Sequence, residues 1–136
     1  MQICHILFDS GRFNLSEVKE HFINPCCFGE DVAAWLAAKL TERGIQVRSP
    51  YQEDWGWELP VRMPENSYYI GVGGNSAEDR SDPNRGEWRV MITKRRSLAE
   101  KITGKNKLTQ QERIVEIVAS VLQTETGISN VHFEED

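Results

Sequence analysis

The chain has 136 residues, a length typical of one globular domain that buries its core without disulfides or metals. Hydrophobic residues make up 39% and charged residues 27%, which excludes a disordered chain. No apolar run approaches the roughly 18 residues of a membrane helix, and the net charge of −5 argues against non-specific nucleic-acid binding by the whole molecule.

The N-terminal part of the chain predicts a strand followed by a short helix. Residues 2–8 form an apolar run of strand length. A helix is expected to begin at Ser16, a typical N-cap residue, with Val18 and Phe22 four apart on one face. Pro25 ends this helix, because proline biases the residue before it toward extended backbone.

The clearest helix signal covers residues 30–43. Val32, Leu36 and Leu40 form an apolar stripe at helical spacing, and two acids stand in the first turn, where the helix dipole favours them. A short strand is expected at 45–49.

The middle of the chain predicts three consecutive strands, at 55–63, 68–73 and 88–93, with a long loop at 73–86. Their alternation is typical of half-buried strands joined as an antiparallel meander. Pro60 places the first of them at a sheet edge or a bulge. The apolar face of that strand carries Trp55, Trp57, Leu59, Val61 and Met63.

The C-terminal part predicts the second main helix and a last strand. The helix covers residues 110–125, with Thr109 as N-cap and Glu112 completing a capping box. Val131 and Phe133 indicate a final short strand. Because the strands cluster between the helices, the predicted fold class is α+β. We expect a mostly antiparallel sheet with two main helices packed on it, as a single domain over the whole chain.

The first candidate site is a pair of thiols, Cys26 and Cys27, just before the helix at residue 30. A helix N-terminus stabilises a thiolate, which suggests a nucleophilic or redox role with His21 or Glu30 nearby. The alternative is that both thiols are small packing groups at a helix entry. Together with Cys4 they make an odd number of cysteines, which favours reduced thiols and a cytoplasmic location.

No metal site or cofactor is predicted. Structural zinc usually needs two close pairs of ligands at two- to four-residue spacing. The available side chains are instead two directly adjacent pairs, Cys4-His5 and Cys26-Cys27, and the single His21.

The second candidate site is an acidic and aromatic strand of four residues: Glu53, Asp54, Trp55 and Trp57. A partly exposed tryptophan beside acids can bind a cationic group or an arginine-rich partner. The alternative is that both tryptophans are core residues.

The third candidate site is the basic segment, residues 94–107, which begins with Lys94, Arg95 and Arg96. It holds six basic residues and one acid, so it carries +5 while the remaining residues carry −10. Phosphate, nucleic acid or an acidic protein would suit this charge. Nucleic acid is disfavoured because no aromatic residue is interleaved for stacking. The alternative is a solvated connection.

Three stretches together resemble a group of uncharacterised bacterial proteins of similar length. They cover residues 24–36 (NPCCFGEDVAAWL), 53–57 (EDWGW) and 86–90 (GEWRV). The resemblance implies a bacterial cytosolic protein and implies no activity.

The leading functional hypothesis is a non-enzymatic binding or regulatory module with a protein partner. The alternatives are a thiol-dependent enzyme or redox protein using Cys26 or Cys27, and a phosphate or nucleic-acid binder using the basic segment. An exposed sheet edge at the Pro60 strand would also allow pairing with a second copy of the chain.

Overall fold

The computed structural model describes residues 3–15, 17, 19–23, 28–76 and 86–134. Its elements, in chain order, are β1 (Ile3–Ser10), α1 (Glu30–Glu42), β2 (Gln46–Val47), β3 (Tyr51–Glu53), β4 (Gly56–Arg62), β5 (Ser67–Ser76), β6 (Gly86–Lys94), α2 (Leu98–Thr103), α3 (Arg113–Thr124) and β7 (Ile128–Phe133). The longest of these helices, α1, has 13 residues. None of the helices in the described ranges has the length and apolar character that a membrane crossing needs.

The described strands form one antiparallel sheet in the order β2-β4-β5-β6-β1-β7. Strand β3 pairs with β4 on the same side as β2. The predicted α+β class is confirmed, and so is the meander, which is formed by β4, β5 and β6.

The two long helices, α1 and α3, pack on one face of the sheet and enclose the core there. The side chains of strand β6 alternate between the two faces of the sheet. Trp88, Val90 and Ile92 are buried against the helices, whereas Arg89 and Met91 alternate with them and stay half exposed on the other side. We call that other side of the sheet the open face.

The Pro60 strand is not a sheet edge, contrary to the sequence prediction. Strand β4 pairs with β5 on one side and with β2 and β3 on the other. The carbonyl of Pro60 accepts a hydrogen bond from the N–H of Arg48, which follows β2. The backbone nitrogen of Pro60 therefore faces the gap between β2 and β3. Because of this gap, the missing N–H of proline costs the sheet no hydrogen bond.

The predicted helix around residues 16–24 is wrong for the part of it that the structure describes. Ser16 and Val18 lie outside the described residues, and residues 20–21 form a turn. The side chain of Asn14 accepts a hydrogen bond from the N–H of Glu17 at 2.8 Å and donates one to its carbonyl at 2.7 Å. Such local side-chain bonds compete with a helix.

The second main helix begins at Arg113, three residues later than predicted. Only half of the expected capping box is present: the Glu112 carboxylate accepts a hydrogen bond from the Thr109 N–H at 2.7 Å. The other carboxylate oxygen of Glu112 is bound by Lys94 and Tyr68, so this residue ties the start of the helix to the sheet.

The basic segment contains a helix that the sequence did not predict, α2. Ser97 and Glu100 form its capping box, and Gly104 ends it with a φ of 70°, a left-handed conformation that suits glycine. The helix buries no residue, so it lies on the surface of the molecule.

Candidate functional site

Three arginines meet on the open face because the strand register places them there. Arg62 on β4 pairs with Ser67 on β5. The N–H of Arg95, directly after β6, donates to the Ser67 carbonyl at 2.9 Å. Adjacent strands are about 4.8 Å apart, so Arg62 and Arg95 flank a small serine at a separation of roughly 10 Å. Arg48 lies opposite Pro60 in the next row of the open face, through its 3.0 Å bond to the Pro60 carbonyl.

These side chains line a groove of about 440 Å³, which we call the arginine groove. Its described lining includes no acidic residue and consists of Gln46, Val47, Arg48, Tyr51, Pro60, Val61, Arg62, Ser67, Tyr68, Tyr69 and Arg95. All three arginines are exposed.

Within the described ranges, none of these arginines takes part in an ion pair. Among the residues that the structure describes, the Arg62 side chain makes one hydrogen bond, a long one of 3.4 Å to the Ser67 hydroxyl. A second cleft of about 550 Å³ adjoins the groove and shares Arg62, Ser67 and Arg95 with it. That cleft also contains two acids, Glu65 and Glu100, so the positive charge is concentrated on the groove side.

The three basic residues predicted together as a binding patch have three different roles. Lys94 is buried and faces the helices, where its ammonium group pairs with Glu112 at 2.8 Å. Arg96 donates to the backbone carbonyls of Glu100 at 2.7 Å and Lys105 at 2.6 Å, and so caps α2. Of the three, only Arg95 lines the groove.

The groove also has an aromatic side, formed by Tyr51 and Tyr69. Tyr51 pairs with Glu58 across β3 and β4, and its hydroxyl is hydrogen-bonded to that carboxylate. Burial and the neighbouring Glu58 raise the pKa of Tyr51 to about 12, so this hydroxyl stays protonated and acts as the donor. Burial also raises the pKa of Glu58.

The acidic and aromatic strand does not form one surface. Trp57 is 5% exposed and packs in the core, with its ring 5.3 Å from that of Phe22. Trp55 is 47% exposed and lies on the open face over Gly71. The predicted shared face of the two tryptophans is therefore wrong. Trp55 belongs to the turn between β3 and β4, where strand alternation does not apply.

The two acids of that strand lie apart from the arginine groove. Glu53 is half buried at the end of β3, and Asp54 is exposed in the turn. Neither residue is among those that line the groove.

The thiol candidates Cys26 and Cys27 lie outside the described residues. The structure does bring together the two groups predicted to assist them, because the imidazole of His21 is hydrogen-bonded to the carboxylate of Glu30. Cys4 is buried in the core. No cluster of three or more metal-ligating side chains occurs in the described part of the chain.

Sequence reasoning found Arg95 but missed the other groove residues that carry the site, namely Arg48, Tyr51, Arg62, Ser67 and Tyr69. Arg62 and Tyr69 stand at the polar positions of their alternating strands, which is the signal for an open-face location. That signal does not say which residues of different strands become neighbours.

No protein-family model, curated protein or solved structure matches this chain. The fold class is α+β, with α1 and α3 packed on one face of the sheet. The proposal for its function therefore rests on the geometry of the open face.

Proposed function

We propose that this chain is a non-enzymatic binding or regulatory module of the bacterial cytosol that holds an anionic ligand in the arginine groove. The observation that supports it is that Arg48, Arg62 and Arg95 line one groove, with Arg62 and Arg95 on either side of Ser67 and no described carboxylate paired to any of the three. Guanidinium groups form bidentate hydrogen bonds with phosphate and carboxylate, so three of them provide strong, oriented anion recognition.

The local charge explains why a ligand would bind here although the whole chain is acidic. The groove has three positive side chains and no acidic lining residue, whereas the net charge of the chain is −5. Three like charges that share one groove repel each other, and a bound dianion removes that repulsion. The small Ser67 side chain between Arg62 and Arg95 leaves room for the anion and offers a hydroxyl donor.

The experiment is calorimetric titration of inorganic phosphate and pyrophosphate into the protein at low salt. Arg62→Ala and Arg95→Ala should each weaken binding by roughly tenfold or more, since a hydrogen bond to a charged group contributes about 1.5–3 kcal/mol. Arg43→Ala is the matched control, because Arg43 is exposed at the end of α1 and does not line the groove. Absence of binding at low salt, or an equal loss in Arg43→Ala, would contradict the proposal.

A second candidate is thiol chemistry at Cys26 or Cys27. The contact between His21 and Glu30 favours it, because a carboxylate that orients an imidazole is the usual companion of an activated thiol. The rate of alkylation of the thiols should be measured against pH in the native protein and in His21→Ala. A thiol of ordinary pKa that is unaffected by His21→Ala would eliminate this candidate.

A further inference from the structure

Strand β5 places an anion-binding position and an aromatic ring side by side on the open face. Ser67 and Tyr69 are two residues apart, so their side chains leave the same face about 7 Å from each other. Ser67 lies between Arg62 and Arg95. Tyr69 is half buried and lines the same groove.

The wall around Tyr69 is suited to a flat ring. Pro60 is the register partner of Tyr69, and the ring of Tyr51 continues the lining on that side. The hydroxyl of Tyr51 is occupied by Glu58, which holds the tyrosine in place at the rim. The volume of about 440 Å³ is within the range of small-molecule sites, about 300–1,000 Å³.

We propose that the ligand of the arginine groove is a nucleoside phosphate, with its phosphate held by Arg48, Arg62 and Arg95 and its base against Tyr69. This inference rests on the anion site proposed above and adds the chemical class of the ligand. Aromatic rings and guanidinium planes both stack on nucleobases, so the lining offers contacts to each half of such a molecule.

A small nucleotide fits better than a nucleic-acid strand because the positive charge is local. A strand that continued along β5 past Tyr69 would reach Trp55 on Gly71, beside the exposed Asp54 and close to Glu58. Those carboxylates and the net charge of −5 oppose a polyanion over that part of the face.

The test compares three ligands by calorimetry at low salt: adenosine monophosphate, ribose 5-phosphate and inorganic phosphate. The first two share the phosphate and differ by the base. We expect adenosine monophosphate to bind roughly tenfold or more tightly than ribose 5-phosphate, the usual effect of stacking one base on an aromatic ring.

Two variants connect that preference to Tyr69. Tyr69→Ala should abolish the preference for the nucleotide and leave the affinity for ribose 5-phosphate unchanged. Tyr69→Phe keeps the ring and should retain the preference. Arg62→Ala should weaken the binding of all three ligands together.

The outcomes separate this inference from the proposed function. Equal affinities for all three ligands would overturn the nucleotide assignment and leave the anion site standing. Tighter binding of a single-stranded oligonucleotide than of the mononucleotide, with a steep salt dependence, would also overturn it. No binding of any of these ligands would overturn both proposals.

Discussion

The indole of Trp55, in the turn that leads into β4, lies directly on Gly71 of the neighbouring strand β5. A Cβ atom at Gly71 would come within 2.3 Å of the Cη2 atom of Trp55, so only glycine leaves space for the ring there. The close approach explains how a tryptophan that is 47% exposed keeps a defined position on the open face.

The first prediction concerns Gly71→Ala. The new methyl group should push the Trp55 ring away from the sheet, at a cost of about 1 kcal/mol, the low end of overpacking effects, because the outer side of the ring faces solvent and no core atoms block the shift. Urea denaturation and tryptophan emission measure the two effects. In a Trp55→Ala background the same substitution should cost much less, and an unchanged cost would contradict the contact.

Gly74→Ala is the matched comparison on the buried face. A Cβ atom there would lie 2.6 Å from two ring atoms of Trp88, which is 1% exposed. Since that ring is enclosed by the core, it has nowhere to move, and we expect a loss of about 2–3 kcal/mol. A loss no larger than that of Gly71→Ala would show that burial of the ring does not decide the cost.

The second prediction concerns the ion pair between Lys94 and Glu112. The Lys94 side chain is 5% exposed, and Tyr68 donates to the same Glu112 oxygen at 2.6 Å. Glu112→Gln leaves a buried ammonium without its counter-charge and should reduce the free energy of unfolding by about 3 kcal/mol. Lys94→Met combined with Glu112→Gln should recover most of that loss. Additive losses in the double variant, measured by urea denaturation, would contradict the pairing.

The third prediction is the acid dependence of stability. Burial acts to raise the pKa of Glu112, but hydrogen bonds from Lys94, Tyr68 and the Thr109 backbone outweigh it and leave the pKa below its ordinary value of 4.5. The folded state therefore binds this proton more weakly than the unfolded state does. The stabilisation is present above the unfolded pKa and is lost as pH falls through the folded pKa.

This dependence is measured by the free energy of unfolding at a series of pH values from neutral into the acid range. Below about pH 4.5 the slope should be shallower in Glu112→Gln than in the unmodified protein. The slope should not fall to zero in Glu112→Gln, because two other carboxyl groups also titrate below their ordinary pKa. Arg12 lowers the pKa of Glu125, and Arg89 lowers that of Glu134. Identical slopes would show that Glu112 has the same pKa in both states.

The fourth prediction separates two neighbouring arginines. Arg96→Ala removes the bonds to the Glu100 and Lys105 carbonyls, so amide hydrogen exchange in α2 should become faster. The global stability should change by less than about 1 kcal/mol, because α2 buries no residue. Arg95→Ala should leave both quantities unchanged and affect only anion binding. Faster exchange in Arg95→Ala would show that Arg95 also stabilises α2, which would contradict this prediction.

Much of the fold followed from local patterns in the sequence. The helical stripe of Leu36 and Leu40 predicted α1, and the alternation of Leu59 and Val61 predicted β4 together with its buried face. These signals depend on the burial of neighbouring side chains along one segment, so they are readable without knowledge of the rest of the chain. The alternation placed Trp55 on the wrong face, because this residue lies in the two-residue turn between β3 and β4 and not in a strand.

The candidate site was decided by the tertiary structure. Arg48, Arg62 and Arg95 come from three separate segments, and only the pairing of β2, β4, β5 and β6 brings them to one groove. In β4, β5 and β6 the sequence by itself determined which positions face away from the core. Which of those positions become neighbours depends on strand order and register, and these are set by long-range packing of the whole core.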